Sequence, residues 1–194
     1  MTEPYPNNQR VLYLIICAAP PAQDMRDFIV LAQAAGWDVC VIATPQATRF
    51  IDMAGLVDLT GHPVRSDYKL PGEADPLPKA DAMVVAPATF NTINKLALGI
   101  GDTLAVSILC EGLGRGTPPI VAVPYLKADL AHHPAFYKNI ALLRECGVRI
   151  LYEPEKYPSP LMVPWEVILD ELDKLMNHSP SESIAQQGSV EELR

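Results

Sequence analysis

The chain has 194 residues, 49% of them hydrophobic and 20% charged, with a formal net charge of −8. That length suits one domain with its own apolar core, and the composition excludes an intrinsically disordered chain. An acidic surface repels phosphate backbones, which excludes a general nucleic-acid binder, and no apolar run approaches the roughly 20 residues of a membrane span.

Residues 1–9 read as an N-terminal arm, and the start Met1-Thr2-Glu3-Pro4-Tyr5-Pro6 lacks the basic opening and cleavage site of a signal peptide. Val11–Cys17 is a continuous apolar run of strand length, as a strand buried on both faces should be. Pro20 and Pro21 open a helical pattern carrying Met25, Phe28, Ile29, Leu31 and Ala32, which Gly36 ends. Trp37–Ala43 is the second strand. Thr44 and Pro45 suit an N-cap and first helical position, predicting a helix through Phe50 to Ala54. Val57–Thr60 is a short third-strand candidate. The polar, proline-rich stretch Gly61–Ala80 is a loop of unusual length, and such loops tend to carry function.

Asp81–Ala86 is a fourth strand ended by Pro87, followed by helix from Thr89 to Cys110 with a break at Gly99–Gly101. Pro119–Val123 is a fifth strand, Pro134–Cys146 a helix and Val148–Tyr152 a sixth strand. A proline-rich loop (Glu153–Pro164) leads to a last helix, Trp165–Met176, and residues 177–194 read as a disordered tail. Strands alternating with helices predict a three-layer αβα domain over residues 10–176, built on a doubly wound, Rossmann-like parallel sheet of about six strands. Cys17, Cys40, Cys110 and Cys146 lie far apart with no CxxC pair, as expected of reduced thiols in a cytoplasmic protein.

In such a sheet, ligands bind where the strand order reverses, beyond the carboxyl ends of the central strands. The turns Cys17-Ala18-Ala19-Pro20 and Ala86-Pro87-Ala88-Thr89 should meet there. GxGxxG and GxxxxGK[ST] are both absent, so nicotinamide dinucleotides and P-loop chemistry are poorly supported. Hydroxyls and amides gather instead at Thr44 and Thr48, and at Thr89, Asn91, Thr92 and Asn94. Together with free N–H groups at helix starts, they suit a phosphate plus a heteroaromatic ring. Ordinary capping is the alternative, above all for Thr44.

Pro87-Ala88-Thr89-Phe90-Asn91-Thr92 resembles the PASANT motif of the homo-oligomeric flavin-containing cysteine decarboxylases. The similarity continues through Ile93–Leu104, including Lys95 and Asp102, and Thr44–Phe50 resembles the family's TxxAxxF segment. The resemblance spans roughly Arg10 to Tyr152. It implies FMN, a Rossmann-like fold, homotrimers that sometimes build dodecamers, and a flavin near a subunit interface. It assigns cofactor contacts to Ala18, Ala19, Thr44, Thr48, Phe50, Pro87, Ala88, Thr89, Asn91, Thr92 and Asp102. The reaction it implies is oxidation of a thiol in a cysteine-containing peptide or small molecule, with loss of carbon dioxide.

This sequence departs from that pattern at three places. The family's glycine and serine after the first strand are Ala18 and Ala19 here, and Pro20 and Pro21 carry no amide hydrogen. The PxMNxxM clamp reads Pro124-Tyr125-Leu126-Lys127-Ala128-Asp129-Leu130, which puts Lys127 where the family's asparagine holds the substrate carboxylate. The family's catalytic histidine lies just before the fourth strand, where ungapped counting places Glu73 near its spot, and His62 is the nearest upstream histidine. His62 is the expected base and Lys127 the expected carboxylate holder, with Arg65, Ser66 and Tyr68 as lesser candidates for an anionic substrate. His132 and His133 precede Pro134, where one should cap or flank a helix, and no paired cysteines give them zinc spacing. The alternatives are a non-catalytic FMN-binding protein and a flavoenzyme of different chemistry.

Overall fold

The structure is a computed structural model and describes residues 9–158 and 161–177. Most of the expected arm and tail lies outside the described residues. The strands are β1 (Arg10–Ile16), β2 (Trp37–Ala43), β3 (Ala82–Ala88), β4 (Ile120–Pro124) and β5 (Arg149–Ile150). The helices are α1 (Met25–Ala34), α2 (Met53–Thr60), α3 (Phe90–Ala97), α4 (Leu104–Arg115), α5 (Ala128–Ala131), α6 (Pro134–Glu145) and α7 (Trp165–Asn177).

The five strands form one sheet in the order β2-β1-β3-β4-β5, with every pair parallel. Successive side chains of a strand point to opposite faces, and here both faces are covered. Leu12, Leu14, Val39, Val41, Val84 and Val121 pack on one face with Phe28 and Ile29 of α1, Leu56 of α2 and Ile168 of α7. Ile15, Ile42, Val85 and Ala122 pack on the other with Ile93 of α3, Leu109 of α4 and Phe136 of α6. All seven residues of β3 are buried, which explains its unbroken apolar run. This is the three-layer, doubly wound architecture that the alternation of elements predicts.

Two assignments need correction. The third-strand candidate Val57–Thr60 is the second half of α2. Asp52 caps that helix by accepting from Gly55 N at 3.1 Å, and Gly61 closes it at φ 73°. The run is helical because the ends of α2 carry cap chemistry, and only Leu56 of that helix is buried. The sheet accordingly has five strands rather than about six. The helix expected from Thr44 to Ala54 is a turn with a short 3-10 segment at Ala47–Arg49, which has no side-chain cap. Thr44 N donates to Ile16 O at 2.9 Å, extending the β1–β2 ladder past the end of β2.

The long loop is as expected, and one part of it is anchored. Arg65 bridges to Ile42 beside β2, with Ala43 N donating to Arg65 O at 2.8 Å. No helix among the described residues is long and apolar enough to cross a membrane.

Candidate functional site

The strand order reverses between β1 and β3, since the chain leaves β1 for β2 on one side and returns to β3 on the other. A cleft of about 380 Å³ opens beyond the carboxyl ends of these strands. The turn after β1 contributes Ala18, and the turn after β2 contributes Thr44, Pro45 and Gln46. The first turn of α3 adds Thr89, Asn91 and Thr92, Lys95 comes from its last turn, and Thr103 and Val106 come from the start of α4.

Two helices begin at this cleft. Thr89 caps α3 by accepting from Thr92 N, and Thr103 caps α4 by accepting from Val106 N, each at 3.4 Å. The amide ends of both helices carry partial positive charge, as an anion requires. Lys95 is the one cation among the described residues lining the cleft, and it is paired with Asp102 across the α3–α4 break. Beneath the cleft, the Cys17 thiol donates to Thr92 Oγ1 at 3.2 Å, and the Thr89 and Thr92 hydroxyls lie 3.1 Å apart. Burial pushes the Cys17 thiol pKa up, so it acts here as a neutral donor that orients the threonine.

The first turn offers little to an anion. Ala19 N donates to Cys17 O at 2.9 Å, and Pro20 and Pro21 have no hydrogen to give. The cleft's donors come from the second and third turns instead. Hydroxyls, amides and one cation on an apolar floor match a phosphorylated, polyhydroxylated ligand with a flat ring, so the residues present fit a flavin mononucleotide.

Of the residues singled out in the sequence, the fold brings Ala18, Thr44, Thr89, Asn91 and Thr92 to the cleft. Pro87 and Ala88 lie in β3 leading into it, and Ala19 is buried behind Ala18. Thr48 and Phe50 are not among the lining residues. Thr48 Oγ1 donates to Pro45 O at 2.8 Å, and Phe50 packs on the core of the opposite face. Asp102 reaches the cleft only through Lys95. Asn94 ties α3 to α6, accepting from Asn139 Nδ2 at 2.7 Å.

The fold separates His62 from the cleft. It is buried, with Nε2 2.7 Å from Asp38 Oδ1 at the amino end of β2, the edge of the sheet opposite the cleft. The loop candidates are likewise engaged elsewhere. Arg65 pairs with Asp75 at 3.2 Å, Glu73 accepts from Leu70 N at 2.9 Å, and the Tyr68 hydroxyl meets Ser107 Oγ at 2.6 Å. Lys127 is exposed and directly precedes α5, beside a second cavity of about 300 Å³ at the tips of β4 and β5. Tyr125, Leu126, His132, Tyr152 and Glu153 are among the residues lining that space.

Sequence reading missed Pro45, Gln46, Thr103 and Val106 as cleft residues. Lys95 belongs to the motif stretch and shares a helix face with Asn91, four residues before it. Thr103 was visible as a hydroxyl before an apolar helical run. Gln46 carried no comparable signal.

A family model described as Flavoprotein matches residues 6–177. The chain is 33% identical over 129 residues to the Coenzyme A biosynthesis bifunctional protein CoaBC of Bacillus subtilis (strain 168), covering 63% of this chain and 31% of that protein. Its counterpart in Thermococcus kodakarensis is 31% identical over 123 residues, or 60% of this chain and 30% of that one. The chain thus spans about a third of the length of these curated relatives. Among solved structures, the FMN-dependent cysteine decarboxylase SpaF superposes with a TM-score of 0.72 at 22% identity, over 87% of this chain and 98% of that one. A PPC decarboxylase mutant complexed with pantothenoylaminoethenethiol gives 0.71 at 18% identity, over 88% and 100%. At these identities the structural likeness establishes the fold.

Proposed function

This chain belongs to the Flavoprotein family, and on that premise we propose that it binds FMN in the cleft between β1 and β3 and decarboxylates a thiol-bearing substrate. The observation that carries the reading is the convergence of Thr44, Thr89, Asn91, Thr92, Lys95 and Thr103 on one cleft at the strand-order reversal. The amino ends of α3 and α4, with Lys95, hold the phosphate and polar chain of the cofactor. Ala18 lets the ring approach the backbone closely, and Val106 gives it apolar contact. When bound, FMN supplies the two-electron acceptor that oxidation of a cysteine thiol requires.

The second cavity, next to the first across the β3–β4 boundary, receives the substrate. Lys127 lies between the lining residues Leu126 and Ala128 and attracts the substrate carboxylate as a point charge rather than as a positioned amide. The relatives' names support a peptidyl-cysteine or small-molecule cysteine conjugate as substrate. The family resemblance supports assembly into a homo-oligomer. His62 is not carried forward as the base, because its ring is buried against Asp38.

The test is direct. Purified protein should be yellow and release FMN on denaturation, identified by mass, and it should liberate carbon dioxide from a cysteine-ended peptide or conjugate. A colourless protein that takes up no FMN at micromolar concentration overturns the reading. A second reading, FMN binding without turnover, is favoured by the lack of histidine among the described residues lining the cofactor cleft. Tight FMN binding with no carbon dioxide from any such substrate would establish it.

A further inference from the structure

The cavity at the tips of β4 and β5 shares a wall with the cofactor cleft. Ala88 of β3 pairs with Pro124 of β4, and Tyr125 N donates to Ala88 O at 2.9 Å. Thr89, the next residue on one strand, lines the first space, and Tyr125, the next on the other, lines the second. A group held in the second space is therefore presented alongside the first.

Two adjacent histidines lie near this wall, and their hydrogen bonds give them different chemistry. His133 Nδ1 accepts from Ala135 N at 3.1 Å as the cap of α6, and its ring meets Phe90 edge-on with centroids 5.5 Å apart. His132 is exposed and lines the cavity, with Nδ1 2.7 Å from Ala128 O. A carbonyl oxygen only accepts, so Nδ1 carries the hydrogen, and in the neutral ring the lone pair is on Nε2. The helical turn of α5 thus fixes the tautomer of an imidazole at a cavity wall, as a base requires.

The rest of the lining defines what fits. Leu126, Leu151 and Val163 supply apolar surface, and no lysine or arginine is among the described lining residues. The titratable groups facing the same space are the Glu153 carboxylate and the phenols of Tyr125, Tyr137, Tyr152 and Tyr157. Burial pushes the Tyr152 phenol pKa up, which keeps that phenol neutral. Lys127 and Asp129 flank the cavity in sequence, and both are exposed. Lys156 pairs with the Glu153 carboxylate at 3.9 Å and lies over the Tyr157 ring, so the lining carboxylate is balanced and the apolar and aromatic walls decide the fit, favouring an apolar or aromatic body.

We propose that this cavity takes a thiol with an uncharged apolar or aromatic body, and that His132 Nε2 accepts its proton. The S–H bond breaks and an Nε2–H bond forms, leaving a thiolate and an imidazolium whose Nδ1–H still donates to Ala128 O. No electrons are exchanged in this step. The inference rests on the decarboxylase reading above and supplies the base that His62 does not.

The test uses the FMN-loaded protein with its flavin reduced beforehand, so that the thiol persists, and histidine labelled with ¹⁵N. The His132 signals are assigned by comparison with His132→Gln. N-benzoylcysteine should convert His132 from the Nδ1–H tautomer to imidazolium at neutral pH, while N-benzoylserine, whose hydroxyl is far less acidic, should leave it neutral. A phosphorylated cysteine conjugate should bind at least tenfold more weakly. In turnover, His132→Gln should lower kcat/KM about 100-fold at pH 6.5, and the deficit should shrink above the ordinary thiol pKa of about 8.5, where solvent supplies thiolate. No response of His132 to either ligand, an equal response to both, or a deficit that does not change with pH overturns the proposal. Flavin content, read by absorbance, judges the decarboxylase reading separately. If the protein takes up no FMN, the same ligand titration on the protein as purified still decides the role of His132.

Discussion

His62 Nε2 stands 2.7 Å from Asp38 Oδ1, joining the loop after α2 to the amino end of β2. From Asp38 to Thr44 the strand runs about 20 Å at roughly 3.3 Å per residue, which separates this imidazole from the cleft at the strand-order reversal. His62→Ala should leave FMN content unchanged while lowering stability by about 1–3 kcal/mol, because a half-buried carboxylate loses its partner. Urea denaturation beside an absorbance spectrum checks both. Unchanged stability together with lost flavin would return His62 to the site.

Lys95 is the one cation among the described residues lining the cleft proposed for FMN, and it pairs with Asp102. Lys95→Met should weaken FMN binding about tenfold, close to 1.4 kcal/mol, and flatten its salt dependence. Asp102→Asn should have a smaller effect, since the cation stays while its anchor weakens. Fluorescence titration of FMN at two ionic strengths measures both. Equal affinity in wild type and Lys95→Met would remove the lysine from the phosphate site.

Asp52 and Gly55 form a single cap. A Cβ on Gly55 would stand 2.3 Å from Asp52 Oδ2, so Gly55→Ala must displace the carboxylate whose Oδ1 accepts the hydrogen bond that Asp52→Ala deletes. Each should cost about 1 kcal/mol, and the double variant should cost much less than their sum. Additive losses in thermal melts would show that the two residues act independently.

Alkaline pH should destabilise the fold. Burial pushes the Cys40 thiol up to about 12, and burial with the nearby Asp75 charge pushes the Tyr13 phenol up to about 12. In the unfolded chain these groups ionise at about 9 and 10. Their stabilising contribution is therefore complete below those values and is lost as pH rises from about 9 towards 12. Denaturation midpoints should fall over that window, and Cys40→Ala should flatten the decline. A Cys40→Ala variant with the same pH slope as wild type would exclude the thiol as a source.

Much of the architecture was legible because it is written in short-range patterns. The buried runs of β1, β2, β3 and β4, the break between α3 and α4 and the capped start of α6 each depend on neighbouring residues. Val57–Thr60 misled because four residues carry too little period to separate strand from helix, and Asp52 and Gly61 decide the matter from outside the run. Thr44-Pro45 misled because a good cap dipeptide was instead the end of a β-ladder.

The sequence by itself determined the alternation of strand and helix, the meeting of the turns after β1 and β3 at the strand-order reversal, and the motif from Pro87 to Lys95 that supplies Thr89, Asn91 and Thr92 to the cleft there. Each of these follows from periodicity, turn chemistry or residue spacing along one stretch of chain. Only the tertiary structure decided which groups share a space: Lys95 and Thr103 with Thr44 in the cleft, His132 with Glu153 in its neighbour, and His62 with Asp38 at the far edge. Those meetings depend on the strand order and on how helices pack across the sheet, and both arise from contacts among residues distant in sequence that no local pattern records.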